Sequence, residues 1–195
     1  MQILVVRFQT PIVGDERVAV REGSIGKFRA LPGLEEKYYL GTLDSPGAGG
    51  IYLFDTPAHV QAYLDGPIVQ GIQGRYQAPE PPTKQIFDVV DAIDLRGSGP
   101  VGRHRSVGVV LAGGDAPLSR PSNDEIAAYA ARTGLQRLFW VRDDSCREGV
   151  LGLWSDVADL DAELAGDDFA RLSGIHGDDP ERVTFEISRV LSEAP

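Results

Sequence analysis

The stretch 33–64, "GLEEKYYLGTLDSPGAGGIYLFDTPAHVQAYL", decides the fold because it contains two strands, a helix and the turns that connect them. Residues 34–42 and 50–55 are short apolar runs separated by the Pro/Gly-rich loop DSPGAG, a pattern typical of two strands joined by a loop. Thr56 followed by Pro57 predicts a helix start, because threonine accepts a bond from a free backbone N–H and proline fits the first helical position.

The same order of signals recurs in residues 134–166, so the chain contains an internal repeat. The matched positions are Gly33, Leu34, Tyr38, Tyr39, Leu53 and Phe54 with Gly134, Leu135, Phe139, Trp140, Leu153 and Trp154. With an opening and a closing strand added, each repeat has the order β-α-β-β-α-β, which is the ferredoxin-like topology. We therefore predict a first unit at 1–95, a Gly/Pro/basic linker at 96–105 and a second unit at 106–195.

The predicted fold class is α+β, with two tandem ferredoxin-like units and antiparallel sheets. Strands such as ILVVRF and GIYLF are apolar on both faces, so the sheet face away from the helices also needs a cover. The simplest cover is the sheet of the other unit. We expect the two sheets to pack face to face as a pseudo-dimer within one chain.

The segment between the first two strands predicts one weak helix from about residue 15 to residue 31. Gly23 and Gly26 lie inside it, and each costs about 1 kcal/mol relative to alanine. Packing of apolar residues such as Phe28 must therefore stabilise this helix.

Composition restricts the classes of function. The chain has 195 residues, a net charge of −10 and 42% hydrophobic residues, as expected of a globular protein. The acidic surface disfavours nucleic-acid binding and docking to anionic membranes. The chain start lacks the basic region of a signal peptide, and Cys146 is the only cysteine, which excludes an intrachain disulfide. We expect a cytoplasmic protein.

The run from Lys37–Tyr38–Tyr39 through Gly49–Phe54 to Ala62–Leu64 resembles the YdhR-type proteins of the dimeric α/β-barrel superfamily, which are classed as monooxygenases by similarity. That family has Lys-aromatic-aromatic at a strand end, then Gly-Gly-Ile-Tyr-Leu-Phe, then a helix with Ala-Tyr-Leu. The resemblance covers roughly the first half of the chain. It implies a tandem fusion in which the two units form an intrachain dimeric α/β barrel, and an activity without a cofactor on a small aromatic or polyketide-like substrate.

The first candidate site consists of Lys37, Tyr39, Tyr52 and Arg7, with Phe54 on the same strand face as Tyr52. Deprotonating an electron-rich substrate and holding the anion suits phenol, ammonium and guanidinium groups in a dry pocket. Lys37 and Tyr52 are the predicted catalytic residues, and the others are predicted to bind substrate. The alternative is that Tyr52 is a core aromatic residue while Lys37 and Arg7 extend to solvent.

His59 and Tyr63 are one helical turn apart and share a helix face. His59 is a third catalytic candidate, because histidine is the most usable base near neutral pH, and Tyr63 is a candidate substrate-binding residue. The alternative is an ordinary solvated histidine in the first turn of a helix.

The sequence predicts no metal site and no cofactor. His104 and His176 lie far in sequence from another histidine or cysteine, whereas zinc and non-haem iron sites need clustered ligands. A haem site stays open, since one axial histidine suffices. GSGPVG at 97–102 matches a dinucleotide fingerprint by letters alone, because no helix follows it.

The repeat alignment also ranks the two units. Lys37 aligns with Leu138, and the positions of Arg7, His59 and Tyr63 align with Leu111, Asp159 and Glu163. We therefore expect the site in the first unit. Gly152 aligns with Tyr52 and favours the opposite, because a missing side chain could open a cavity beside Trp140 and Trp154.

Three functions fit the sequence. The first is a cofactor-independent monooxygenase or related tailoring enzyme for a small aromatic molecule. The second is a non-catalytic protein of the same fold that binds a small hydrophobic ligand, and the third is a structural role. Cavity volume beside Lys37, Tyr39 and Tyr52 distinguishes them. Further association into a homodimer stays open.

Overall fold

The computed structural model describes residues 1–42, 45–95, 106–112, 122–164 and 181–192. The predicted linker 96–105, His104 and His176 lie outside these ranges. Among the described residues, no helix is long and apolar enough to cross a membrane.

The described residues form eight strands and seven helices, and the strand pairs described below are antiparallel. In chain order they are β1 (Gln2–Gln9), α1 (Gly14–Glu22), α2 (Ile25–Arg29), β2 (Leu34–Leu40), β3 (Gly47–Phe54), α3 (Pro57–Asp65), α4 (Pro67–Gln70), α5 (Ile72–Arg75), β4 (Thr83–Asp94), β5 (Ser106–Ala112), α6 (Asn123–Ala130), β6 (Leu135–Asp143), β7 (Glu148–Trp154), α7 (Val157–Leu164) and β8 (Glu181–Ser192). The α+β class and the β-α-β-β-α-β order are as predicted.

The chain divides into two compact units. Unit one is Met1–Ile86 with Ile187–Pro195, and unit two is Phe87–Glu186. Strands β4 and β8 each have one part in either unit, so the compact units differ from the repeats at 1–95 and 106–195. Those repeat boundaries stay a prediction.

In unit one, β3 lies between β1 and β2. Gln2 to Gln9 pair with Phe54 to Gly47, and Lys37 pairs with Tyr52 across β2 and β3. The outer edge of β2 pairs with the last part of β8, from Glu36 opposite Ser192 to Leu40 opposite Ile187. This register places Lys37 and Tyr52 side by side.

Unit two has the same local arrangement. Its strand β7 lies between β5 and β6, and Leu138 pairs with Gly152 as Lys37 pairs with Tyr52. Both β2 and β6 shift register one residue after their first pair, at Leu34 and at Leu135. The structure therefore places the aligned residues at equivalent positions.

Both faces of the unit-one sheet are buried, as the apolar strands predicted. Tyr52 and Phe54 belong to the core cluster that also contains residues of the helices, such as Phe28 and Val60. On the other face, side chains such as Ile51 have no exposed area.

The single helix predicted over 15–31 is wrong, because the segment forms two helices. Helix α1 ends at Glu22, where Gly23 is the C-cap, and α2 starts at Ile25. The Ser24 hydroxyl donates to the backbone carbonyl of Arg21 at 2.6 Å, so the side chain competes with continued helical bonding. The break places Ser24 and α2 against the sheet.

Candidate active site

Lys37 lies at the centre of an aromatic cluster between the unit-one sheet and its helices. Its Nζ is 3.0 Å from the ring centroid of Phe28, 3.9 Å from that of Tyr39 and 4.7 Å from that of Tyr52. The residue is only 3% exposed. The alternative in which Lys37 extends to solvent is therefore wrong, because its strand position directs it into the core.

Burial controls the charge of this amine. Loss of hydration lowers the pKa of Lys37 well below its ordinary value, and the positive charge of Arg75 lowers it further. The ring faces oppose this by attracting a cation, each with about 0.5–2 kcal/mol. Among the described residues, Nζ has no hydrogen bond and no ion pair. The arrangement favours a neutral amine with an available lone pair.

Tyr52 packs over Gly50 of its own strand, β3. A Cβ at Gly50 would lie 2.9 Å from three atoms of the Tyr52 side chain, so only glycine leaves room for this ring. Burial raises the pKa of Tyr52 well above its ordinary value, and the neighbouring phenol of Tyr63 raises it further. Tyr52 is therefore a neutral phenol next to the Lys37 amine.

Tyr39 forms another wall of the cluster. Its hydroxyl and that of Ser24 are 3.0 Å apart and hydrogen-bonded, which uses the break between α1 and α2. Burial raises the pKa of Tyr39 to about 12, although the bond to Ser24 acts in the opposite direction. This phenol also stays neutral at physiological pH.

Tyr63 and Phe54 extend the cluster towards α3. The Tyr63 ring lies 5.1 Å from Tyr52 and 5.7 Å from Phe54, centroid to centroid. Its hydroxyl is buried and has no hydrogen bond of normal geometry. The nearby Tyr52 hydroxyl acts to lower the pKa of Tyr63, but less strongly than burial acts to raise it. Phe54 is in the same core cluster as Tyr52, with which it was grouped, whereas Tyr63, which was grouped with His59, packs against Tyr52 and Phe54.

A small cavity adjoins Lys37. It has about 10 Å³ open to the centre of a water molecule, which is roughly the space for one water. Its lining consists of Phe8, Ser24, Phe28, Lys37, Tyr39, Gly49, Tyr52, Ile72, Arg75 and Tyr76. Of the seven predicted site residues, only Lys37, Tyr39 and Tyr52 line the cavity. It admits no aromatic ring unless side chains such as Tyr76 move.

Sequence reasoning missed Arg75, Tyr76, Phe28 and Ser24. Arg75 donates to the backbone carbonyl of Ile68 at 2.5 Å, while its Nε is buried without a partner. No motif marks these residues, since they come from short helices and turns outside the strand pattern. The glycines Gly23 and Gly26 were the one available signal that the helix breaks near Ser24 and Phe28.

His59 is apart from the cavity lining. Its Nδ1 lies 2.5 Å from Asp55 Oδ1, and both side chains are more than a third exposed. The backbone N–H of His59 donates to the Thr56 hydroxyl, which confirms the predicted helix cap. The hydrogen bond to His59 lowers the pKa of Asp55. Here His59 joins the end of β3 to the start of α3.

The second unit has the same contact between a glycine of positive φ and the first turn of a helix, with an aspartate in place of the histidine. Gly33 has φ +69°, and a Cβ there would lie 2.1 Å from His59 Nδ1. Gly134 has φ +75°, and its Cβ would lie 2.2 Å from Asp159 Oδ2. A histidine and an aspartate thus occupy equivalent positions, which favours a structural role for both.

Arg7 is on the opposite side of the sheet from Lys37. It is half-buried and pairs with Gly49, while its neighbours Val6 and Phe8 point towards the helix-side core. Because side chains alternate along a strand, Arg7 faces away from the cavity. The structure does not bring it together with Tyr52.

Unit two has an apolar core at the position of the lysine cluster. Leu138, Trp140 and Trp154 belong to one buried group. A Cβ at Gly152 would lie 2.9 Å from Trp154 Nε1, so the indole fills the space left by the glycine. Among the described residues of this core, no lysine corresponds to Lys37.

Comparison with known proteins supports the fold. No protein-family model matches the chain, and no curated protein matches it. An "anthrone oxidase-like protein" of known structure is 11% identical, with a TM-score of 0.62 over 100% of this chain and 94% of its own. A "Putative monooxygenase" from Fusobacterium nucleatum is 11% identical, with a TM-score of 0.64 over 98% and 94%.

A second "putative monooxygenase", from Lactobacillus acidophilus, is 11% identical, with a TM-score of 0.61 over 98% of this chain and 96% of its own. Identity this low carries no residue roles between proteins. The chain has the α+β fold of these monooxygenase-like structures along nearly its whole length.

Proposed function

We propose that the chain is a cofactor-independent monooxygenase, or a related tailoring enzyme, acting on a small aromatic or polyketide-like molecule. The observation that carries the proposal is the buried amine of Lys37 among aromatic rings beside Arg75. The fold likeness to monooxygenase-like proteins adds support. The names of those proteins describe them and not this chain.

The first step is a proton transfer. The Lys37 amine takes a proton from an acidic C–H or O–H of the substrate, which a neutral lysine does well and an ammonium cannot. Arg75 and the hydroxyl of Tyr52 are the groups that would hold the resulting anion. His59 has no step, because it lies at the exposed start of α3.

The second step is oxidation of the anion by dioxygen. For an anthrone, the carbanion gives up electrons to dioxygen and a carbon–oxygen bond forms. Return of the proton from Lys37 and loss of water then leave a carbonyl. The balance is anthrone plus O₂ giving anthraquinone plus H₂O, in which one oxygen atom enters each product.

The small cavity sets a condition on this function. At about 10 Å³ it holds a water, so a ring enters only when the wall formed by Phe8 and Tyr76 opens. These rings are 4.8 Å apart, and Thr10 holds the segment after α5 by donating to the backbone carbonyl of Tyr76. The proposal requires this contact to break when substrate binds.

The test is oxygen uptake with anthrone- and hydroquinone-type substrates. Lys37→Met is expected to lower the rate about a hundredfold or more, the usual contribution of a general base. Lys27→Met is the matched control, because Lys27 is exposed on α2. Equal rates in wild type and Lys37→Met would remove the assignment. Binding of these compounds without any uptake would favour the non-catalytic binder.

We also propose that the chain is a tandem fusion of two ferredoxin-like units and that it is related to the YdhR-type proteins. Equivalent features at Lys37–Tyr52 and Leu138–Gly152, with matches along nearly the whole chain, support a tandem fusion related to the YdhR-type proteins. In this arrangement the two sheets pack face to face as an intrachain barrel. Sedimentation tests whether the 21.0 kDa chain is a monomer or associates further.

A further inference from the structure

A second cavity adjoins the one beside Lys37. It has about 20 Å³ open to the centre of a water molecule, and its lining includes Arg17 and Arg21. Both cavities are lined by Phe8, Tyr39, Gly49 and Tyr76. The two spaces are therefore separated by side chains that they share, and movement of the Phe8–Tyr76 pair would join them.

The lining of the two cavities is positively charged. It contains three arginines, Arg17, Arg21 and Arg75, and no aspartate or glutamate occurs among the lining residues described. The whole chain has a net charge of −10. This region therefore has the opposite sign from the rest of the protein, which suits an anionic ligand.

Arg17 is a buried cation, only 4% exposed. Its guanidinium donates to the carbonyls of Ser45 at 2.5 Å and Gly47 at 2.6 Å. A Cβ at Gly41 would lie 2.9 Å from Arg17 Nη2, so glycine provides the room for this group. These carbonyls satisfy donors but carry no net charge, and no carboxylate contacts Arg17 among the described residues. Burial lowers the pKa of Arg17, so an anion would relieve a real cost.

Arg21 is only partly neutralised. Its Nε lies 3.3 Å from Glu22 Oε1, and the same oxygen accepts from Arg189 at 2.9 Å. One carboxylate oxygen thus serves two guanidinium groups. Arg21 lies one helical turn after Arg17 on α1, which places both on the same helix face.

We propose that the two cavities, joined when the Phe8–Tyr76 contact opens, form one site for an aromatic carboxylate. The carboxylate binds at Arg17 and Arg21, the ring lies against Tyr39 and Tyr76, and the acidic phenol or enol lies at Lys37. Guanidinium groups suit this role because they donate paired hydrogen bonds to a carboxylate. The inference rests on the proposed function for its choice of phenol or enol, and it adds the substrate class.

The experiment compares the affinity of 2,5-dihydroxybenzoate with that of its neutral amide, 2,5-dihydroxybenzamide, by isothermal titration calorimetry. Wild type is expected to bind the acid about tenfold more tightly or better, a difference of roughly 1.4 kcal/mol. Arg21→Gln is expected to reduce this preference to about twofold or less. Arg29→Gln, which removes an exposed charge on α2, is the matched control and keeps the preference.

Arg17→Lys is the second variant, because it keeps a buried charge while losing the paired donors. It is expected to lower the preference for the acid as well. Equal binding of acid and amide by wild type, or a preference that survives in both Arg21→Gln and Arg17→Lys, would overturn the proposal. Failure of the acid to bind at millimolar concentration would do the same.

Oxygen uptake distinguishes this inference from the proposed function. Tight, arginine-dependent binding of the acid without uptake would contradict the monooxygenase and leave the carboxylate site standing. The opposite outcome is an equal rate of oxygen uptake with hydroquinone and with 2,5-dihydroxybenzoate, both at subsaturating concentration. That result would contradict the carboxylate site and leave the monooxygenase standing.

Discussion

Lys37→Met should change the pH dependence of stability in a direction fixed by the structure. Methionine has a similar length and fills the same space between Phe28, Tyr39 and Tyr52 without an ionisable group. The equivalent residue of unit two, Leu138, is already apolar and fully buried. We therefore expect the variant to be more stable than wild type at pH 8.5.

The sign follows from proton binding. Burial holds the folded pKa of Lys37 well below its ordinary value. At a pH between the folded and the unfolded pKa, the unfolded chain therefore binds one more proton than the folded chain. Stability of wild type therefore rises with pH across this window. With an unfolded pKa near 10.4, the rise attributable to Lys37 between pH 8.5 and pH 9.5 is at most about 1 kcal/mol, reached when the folded amine stays neutral throughout this window. The advantage of Lys37→Met should shrink by that amount.

The assay is urea unfolding of wild type, Lys37→Met and Lys27→Met at pH 8.5, 9.0 and 9.5. Other groups that titrate in this range are common to all three proteins and cancel in the difference. A constant stability difference between wild type and Lys37→Met across the series would refute the reasoning, because it would mean that Lys37 keeps its proton when folded.

Three further predictions concern two glycines and one tyrosine of unit one. Gly50→Ala should displace the Tyr52 ring, lower stability by about 1–3 kcal/mol and abolish oxygen uptake; unchanged uptake would contradict the placement of Tyr52. Gly33→Ala should lower the free energy of unfolding in urea by about 1–2 kcal/mol because of its positive φ. Adding His59→Ala should recover only the part that comes from the clash between the new Cβ and the imidazole. An unchanged free energy of unfolding in Gly33→Ala would contradict this. Tyr39, with a folded pKa of about 12, should make wild type lose stability relative to Tyr39→Phe between pH 10 and pH 12, because the unfolded phenol ionises first; parallel curves would count against it.

Strand order and the helix cap were predictable because they depend on local chemistry. The Thr56–Pro57 start is confirmed by the Thr56 side chain, which accepts from the backbone of His59. The repeat also located equivalent positions, since Lys37–Tyr52 and Leu138–Gly152 pair in the same register. Such features require only the periodicity and spacing of the residues.

The protonation state of Lys37 and the residues that surround it were not predictable from the sequence. The side chain could equally have reached solvent, because a strand pattern does not say which face the helices cover. Arg75 and Arg17 come from different helices, and their approach to the cavity depends on tertiary packing. His59 shows the converse, since a reactive residue type at a plausible spacing lies at an exposed helix start.

Chemical rescue tests most directly whether the Lys37 amine performs the reaction. In Lys37→Ala the removed side chain leaves space for a small alkylamine among Phe28, Tyr39 and Tyr52. We predict that this variant consumes almost no oxygen with its aromatic substrate, and that added ethylamine or propylamine restores uptake in proportion to the free-base concentration. Undiminished uptake in the variant, or no restoration by amines while the substrate still binds, would contradict the account.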